Sequence, residues 1–286
     1  MSSSHDQDYH ACLQSLRQTD LDRYLSCLLI SEDKRGPVAA LYAFNAEIAR
    51  VRDLVREALP GEVRYQWWRD LLDGERPGEA EANPLAAGLF RAIGAFHLPR
   101  QPLIDLVEAR IFDLYDDPME NVSAFEGYAG ETAAALIQLA SLVLDAGVAR
   151  DLSEAAGHAG VAQAVAGSLL LMPLHRQRGQ LYLPLDILAA TGLDRQGFLA
   201  GEDKERVSVA IAAFAGFGRD HLRKARQASR GRLKGPVMGA YLPVSLVETV
   251  LERATSAGAG LFERPIQPAQ WRRQWRMWRA LRSSSI

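Results

Sequence analysis

Cys12 and Cys27 are the only two cysteines in this 286-residue chain. They form neither a disulfide framework nor a metal-binding spacing, and they read as small buried apolar residues of a protein in a reducing compartment. Lysine is scarce too: Lys34, Lys204, Lys224 and Lys234 are the only four, so nearly all positive charge is arginine. With 33 basic and 35 acidic residues the formal net charge is −2. That balance gives no bulk electrostatic reason to expect a nucleic-acid partner. No uninterrupted apolar run reaches the roughly 18 residues that a membrane crossing needs, so no transmembrane helix is expected. The N-terminal "MSSSHDQDYHACLQ" has neither the apolar centre of a secretion signal nor the arginine-rich pattern of an organelle-import peptide, so no signal peptide is expected. Alternating β-branched runs are missing, which removes strands from the expected fold. There is no glycine-rich phosphate loop, no nucleophile triad pattern and no Cys/His metal spacing. One further absence is local. From residue 155 to residue 185 there is no Asp or Glu.

What is present is helical periodicity. Hydrophobic residues make up 48% of the chain and charged residues 24%, ample for a globular core. Apolar residues recurring at helical spacing predict helices over 21–29, 38–59, 62–72, 85–95, 100–114, 122–145, 152–174, 204–232, 241–257 and 268–282. Gly36-Pro37 is expected to break or kink the first of these runs, and Pro268 suits a first helical turn. The loops are short and nothing repeats at 20–50 residues. The expected fold is all-α, a helical bundle of one domain over 21–262. A polar segment precedes it over 1–20, and a C-terminal helix at 263–286 packs on it or is appended to it.

Several phrases, in this order, resemble segments of the squalene/phytoene synthase family: "LYAF" at 41–44, "QWWRDLLDG", "FEGYAGETAAALIQLAS", "GVAQA" followed by "GQLYLP", and "GRDHLRKAR". The resemblance spans roughly residues 21–257. It implies an isoprenoid-synthase-like bundle with a central cavity. Active members join two prenyl diphosphates head to head. Aspartate-rich motifs on two facing helices hold Mg²⁺, and an apolar cavity shelters the carbocation. That chemistry needs carboxylates one helical turn apart, because i and i+4 share a face. It needs several, because Mg²⁺ demands hard oxygen ligands.

This chain departs from the family at both motifs. After "LYAF" the text is "NAEIARVRD", with Ala49, Arg50 and Asp53 where the acids are expected. Only Asp53 matches. Glu47 lies two residues before Ala49, on another helix face, and Glu47, Arg50 and Asp53 suit an ion-pair network. The second motif falls within "VAGSLLLMPLHRQR", which holds no acid and a helix-breaking Pro173. What remains of it is a frame, Gly160 and Gln163 through Tyr182-Leu183-Pro184, with His175, Arg176 and Arg178 inside. These three read either as an anion site or as a loop pairing with acids such as Asp186.

The pattern resembles the non-catalytic branch of that family, the respiratory complex I assembly factors. "AFN" followed by a Glu at 47, and the Pro-x-His of "PLHRQRGQLYLPLDI", carry this likeness. It implies a chaperone-like role without metal or cofactor, with a complex I subunit or assembly intermediate as partner. It also implies a place on the cytoplasmic or matrix side, peripheral at the inner membrane. The alternative is a divergent prenyltransferase using Mg²⁺, or a prenyl- or lipid-binding protein. Glu47, Asp53 and the 175–178 cluster would then line the diphosphate end of the cavity.

Asp113, Asp116 and Asp117 precede Pro118, and read as solvated acids at a helix end or as a relocated metal site. His158 reads as a core histidine. In "QPAQWRRQWRMWRALR", Trp271, Trp275 and Trp278 share a face, while Arg272, Arg273, Arg276, Arg279 and Arg282 come with no acid. Such a helix suits an anionic membrane surface, a partner, or capping of the bundle through Arg–Trp stacking.

Overall fold

The computed structural model describes residues 4–286, so Met1–Ser3 of the polar N-terminal segment lie outside the described residues. Among the described residues there are helices and no strands. Most of the polar segment expected over 1–20 is helix α1 (Ser4–Thr19). Its sparse apolar residues tie it to the bundle: Cys12 and Leu16 fall one turn apart, and both are fully buried. Helix α2 (Leu21–Cys27) follows, capped by Asp20.

Helix α3 (Glu32–Ala49) runs through Gly36-Pro37 without the expected break. Pro37 sits near the helix start, so the carbonyl it leaves unpaired belongs to the exposed Asp33. The helix stops instead at Arg50, ten residues short of the expected end, and only a short turn (Val51–Leu54) continues it. Helices α4 (Ala58–Asp73), α5 (Pro84–Phe96) and α6 (Gln101–Ala109) follow, with α4 packed on α6, and α5 on α1 and α3. From Arg110 to Leu114 the chain tightens into a 3₁₀ turn, which brings Arg110 beside Asp113.

Helix α7 (Val122–Leu144) is long and apolar enough to cross a membrane by length and composition, which the reading of interrupted apolar runs did not expect. In the structure it is packed into the core, with Phe125, Leu136, Leu139, Ala140 and Val143 buried. Its ladder carries a π-helical turn at Gly130–Ala134. Asp145 ends it and caps the next turn by accepting from the N–H groups of Gly147 and Val148.

Helix α8 (Ser153–Leu170) crosses α7 at that turn. Gly160 makes the approach possible: a Cβ there would lie 2.5 Å from Ala134 Cα. The chain breaks at Leu171 and restarts as α9 (Met172–Gln177), with Pro173 in its first turn. Helix α10 (Lys204–Ala228) packs along α8, and α11 (Val247–Ala257) packs against both. Helix α12 (Gln270–Ser283) closes the chain, with Ala269 at its N-cap and Pro268 outside it rather than in its first turn. One apolar core runs from Leu16 to Ile286 and includes Met277 and Ala280 of α12.

Candidate functional site

A cavity of about 900 Å³ opens between α3, α7, α8 and α11. Three interruptions of regular helix shape its wall: the stop at Arg50, the 3₁₀ turn at Arg110–Leu114 and the break at Leu171. Each turns polar side chains inward that a continuous helix would have spread around its cylinder. The wall includes Ala49, Arg50, Asp53, Gln163, His175, Arg178 and Tyr182. The positions expected for the two motifs therefore meet across one cavity. Glu47 does not join them; it stays half-buried on α3, outside the cavity wall.

Asp113 is the polar centre of the wall. It is buried and accepts hydrogen bonds from Arg110 Nη1 at 2.9 Å, Tyr128 Oη at 2.9 Å and Tyr182 Oη at 2.8 Å. Tyr128 Oη in turn accepts from Arg110 Nη1 at 2.6 Å. Gln180 Nε2 donates to the Asp113 carbonyl at 3.0 Å. Burial raises the Tyr128 and Tyr182 hydroxyls well above the usual phenol range, and the Asp113 carboxylate adds to the shift, so both stay protonated donors. The solvated helix end expected for this acid is not what the fold makes of it. The 3₁₀ turn rolls Asp113 inward and leaves Asp116 and Asp117 exposed, Asp116 lying 3.7 Å from Arg52.

The basic cluster does not exist as one site. Arg176 turns away from the cavity to donate to the carbonyls of Leu199 and Ala200, at 2.6 and 2.7 Å, and stacks over Phe262. His175 lies against the Tyr182 ring, and burial lowers its pKa to about 4, so it is uncharged at neutral pH. Arg178 reaches across to Asp53 at 2.7 Å. Asp186, the expected partner of the cluster, instead accepts from the N–H groups of Val122 and Ile187. The network expected among Glu47, Arg50 and Asp53 is likewise absent among the described residues: Asp53 pairs with Arg178, and Glu47 stays outside the wall that Arg50 and Asp53 share.

The remaining carboxylates of the wall are Asp20 and Asp22, which the sequence did not single out. Asp20 pairs with Arg23 at 2.6 Å, and Asp22 pairs with Arg273 of α12. With Asp53–Arg178 and Asp113–Arg110, each of the four cavity aspartates thus has an arginine of its own. Among the described residues no group of three or more His, Cys, Asp or Glu is placed to hold a metal ion. His158 is half-buried and shares a hydrogen bond with His221 at 3.1 Å, whose Nε2 lies 3.1 Å from Glu126. On α12 the face is the reverse of a cap: Arg273, Met277 and Ala280 are buried, while Trp271, Trp275 and Trp278 are exposed.

The squalene/phytoene synthase family model matches residues 16–279. The chain belongs to the squalene/phytoene synthase family. Among curated relatives, complex I assembly factor 6 of Homo sapiens is 30% identical over 260 residues, covering 90% of this chain and 77% of that protein. The 15-cis-phytoene synthase of Synechocystis is 24% identical over 215 residues, covering 71% of this chain and 64% of that protein. A dehydrosqualene synthase in complex with ligand superposes with a TM-score of 0.83 at 16% identity, covering 98% of this chain and 96% of that one. The squalene synthase HpnC of Alicyclobacillus acidocaldarius gives 0.75 at 18% identity, covering 90% of this chain and 97% of that one. The fold expected from the sequence, an isoprenoid-synthase-like helical bundle, is the fold found.

Family membership implies Mg²⁺ at the two acidic motifs, and the residues present do not fit it. A hard dication needs several free carboxylate oxygens. Here the aspartates facing the cavity are each held by a guanidinium, and Ala49, Arg50 and the acid-free stretch over 155–185 supply no others.

Proposed function

We propose that this protein is a non-catalytic member of its family that acts as a chaperone-like assembly factor for respiratory complex I. The observation that carries this reading is the arginine at every cavity aspartate. A paired guanidinium opposes the charge that draws in a dication, most strongly where little solvent screens it, as at Asp113. The likeness to complex I assembly factor 6, at 30% identity over 90% of the chain, supports the same role. Its partner would be a complex I subunit or an assembly intermediate, met on the cytoplasmic or matrix side of the inner membrane. The test is capture of the full chain from solubilised inner membrane, with complex I activity followed in a deletion strain. Co-purifying complex I subunits and lost assembly are expected. A deletion strain with fully assembled, active complex I overturns the role.

A second reading is favoured by the cavity itself. A volume of about 900 Å³, with Leu170, Leu171, Leu174, Leu246 and Val250 among its lining, suits a prenyl or other lipid chain. In its strongest form this is a divergent prenyltransferase. Incubation with farnesyl or geranylgeranyl diphosphate and Mg²⁺ separates the two readings. The first expects no condensed product. Turnover that disappears in Asp53→Ala would establish the second.

A further inference from the structure

Three large aromatic side chains stand in solvent on one helix face. Trp271 is 64% exposed, Trp275 53% and Trp278 44%. At 100° per residue they fall within roughly 60° of arc, on the side of α12 opposite the buried Arg273, Met277 and Ala280. The face is held outward firmly. Arg273 is paired with Asp22, Met277 is fully buried, and the Ile286 carbonyl accepts from Arg226 at 2.7 Å. The cavity wall contains Arg273 and none of the tryptophans, so this surface is distinct from the cavity.

The chemistry of the face is specific. Arg272, Arg279 and Arg282 each lay a guanidinium over one of the three indoles, at 5.1, 5.5 and 4.5 Å from the ring centroid. Arg276 adds a further charge, and no acid occurs between Gln270 and Ile286. Three guanidiniums therefore stand against the three exposed indoles, with half-buried Arg276 on the flank of that face. That is the vertical order of an anionic membrane, with phosphates immediately above the acyl boundary where tryptophan is most stable. A protein partner would have to supply an unbroken acidic groove to match it. A bilayer supplies the match through its headgroups.

We infer that the outward face of α12 docks this protein on an anionic lipid bilayer, with Trp271, Trp275 and Trp278 at the acyl boundary and Arg272, Arg276, Arg279 and Arg282 on lipid phosphates. This docking is independent of the assembly role and of the cavity. Flotation of the full chain with phosphatidylcholine vesicles, with and without phosphatidylglycerol, tests it. The protein floats with the anionic vesicles, stays behind with the neutral ones, and is released by salt. The triple variant Trp271→Ala, Trp275→Ala, Trp278→Ala loses flotation. The triple variant Arg272→Gln, Arg276→Gln, Arg279→Gln lowers partition by about a hundredfold at low ionic strength. Quenching of wild-type indole fluorescence by brominated phospholipid checks insertion without any variant. Wild-type protein that does not float, variants that float like wild type, or unquenched fluorescence each overturn the docking. So does a tryptophan-dependent dimer that ignores lipid, which would assign the face to a second copy of the chain.

Discussion

At the scale of single residues, Asp113 and Asp53 are both aspartates of one cavity wall paired to arginine, yet their environments differ sharply. Asp113 is buried and Arg110 beside it is nearly so, while the Asp53 side chain is 49% exposed. Asp113→Ala strands Arg110 without its counter-charge and strips an acceptor from Tyr128 and Tyr182. It is expected to cost about 3–5 kcal/mol. Asp53→Ala should cost under about 1 kcal/mol, because solvent screens the pair. Urea denaturation of the two variants checks both, and equal losses would contradict the burial difference. Two histidines supply the pH dependence: His221, whose pKa burial also lowers, and His175, whose shift is large. Burial lowers the His175 pKa from 6.5 to about 4, so the unfolded chain binds more protons between those values. Stability present above pH 6.5 therefore falls as pH drops towards 4, by at most about 3 kcal/mol from this residue. His175→Gln should make that part of the melting-temperature profile shallower, with the His221 contribution remaining.

Among the helices, two glycines of α8 give opposite expectations. A methyl at Gly160 would run into the backbone of the π-helical turn at Ala134, whereas nothing lies within 4 Å of a Cβ at Gly157. Gly160→Ala should destabilise by about 1–3 kcal/mol through overpacking. Gly157→Ala should stabilise by up to about 1 kcal/mol through helix propensity. Thermal melts of the two variants moving in the same direction would refute the close helix approach. Helix identity was legible in the sequence, because apolar periodicity is local. Helix ends were less so. Pro37 lies near a helix start and costs little, and Pro173 did signal the break at Leu171, while the unremarkable Arg50 ends a helix where the chain must turn around the cavity; nothing in the Arg50 side chain announces it.

Across the whole molecule, the apolar core is continuous from α1 to α12. Unfolding should accordingly be a single cooperative transition by fluorescence and circular dichroism, with coincident midpoints. Removing residues 263–286 takes Ile266, Met277, Ala280 and Ile286 from the core and leaves Asp22 without Arg273. The truncated chain should lose more than about 3 kcal/mol of stability, chiefly from the lost burial of Ile266 and Met277. An unchanged melting temperature would show the last helix to be a mere appendage.

The sequence by itself determined the all-α class, the positions of most helices, the family, and the acid-free stretch over 155–185. Those are properties of local order and composition. Only the tertiary structure decided which charges meet. Asp53 and Arg178 stand 125 residues apart in the chain, and Asp22 and Arg273 stand 251 apart. Helical spacing fixes neighbours three or four residues away. Partners across a cavity depend on where helices stop and how they cross, and close packing of side chains from distant segments sets both.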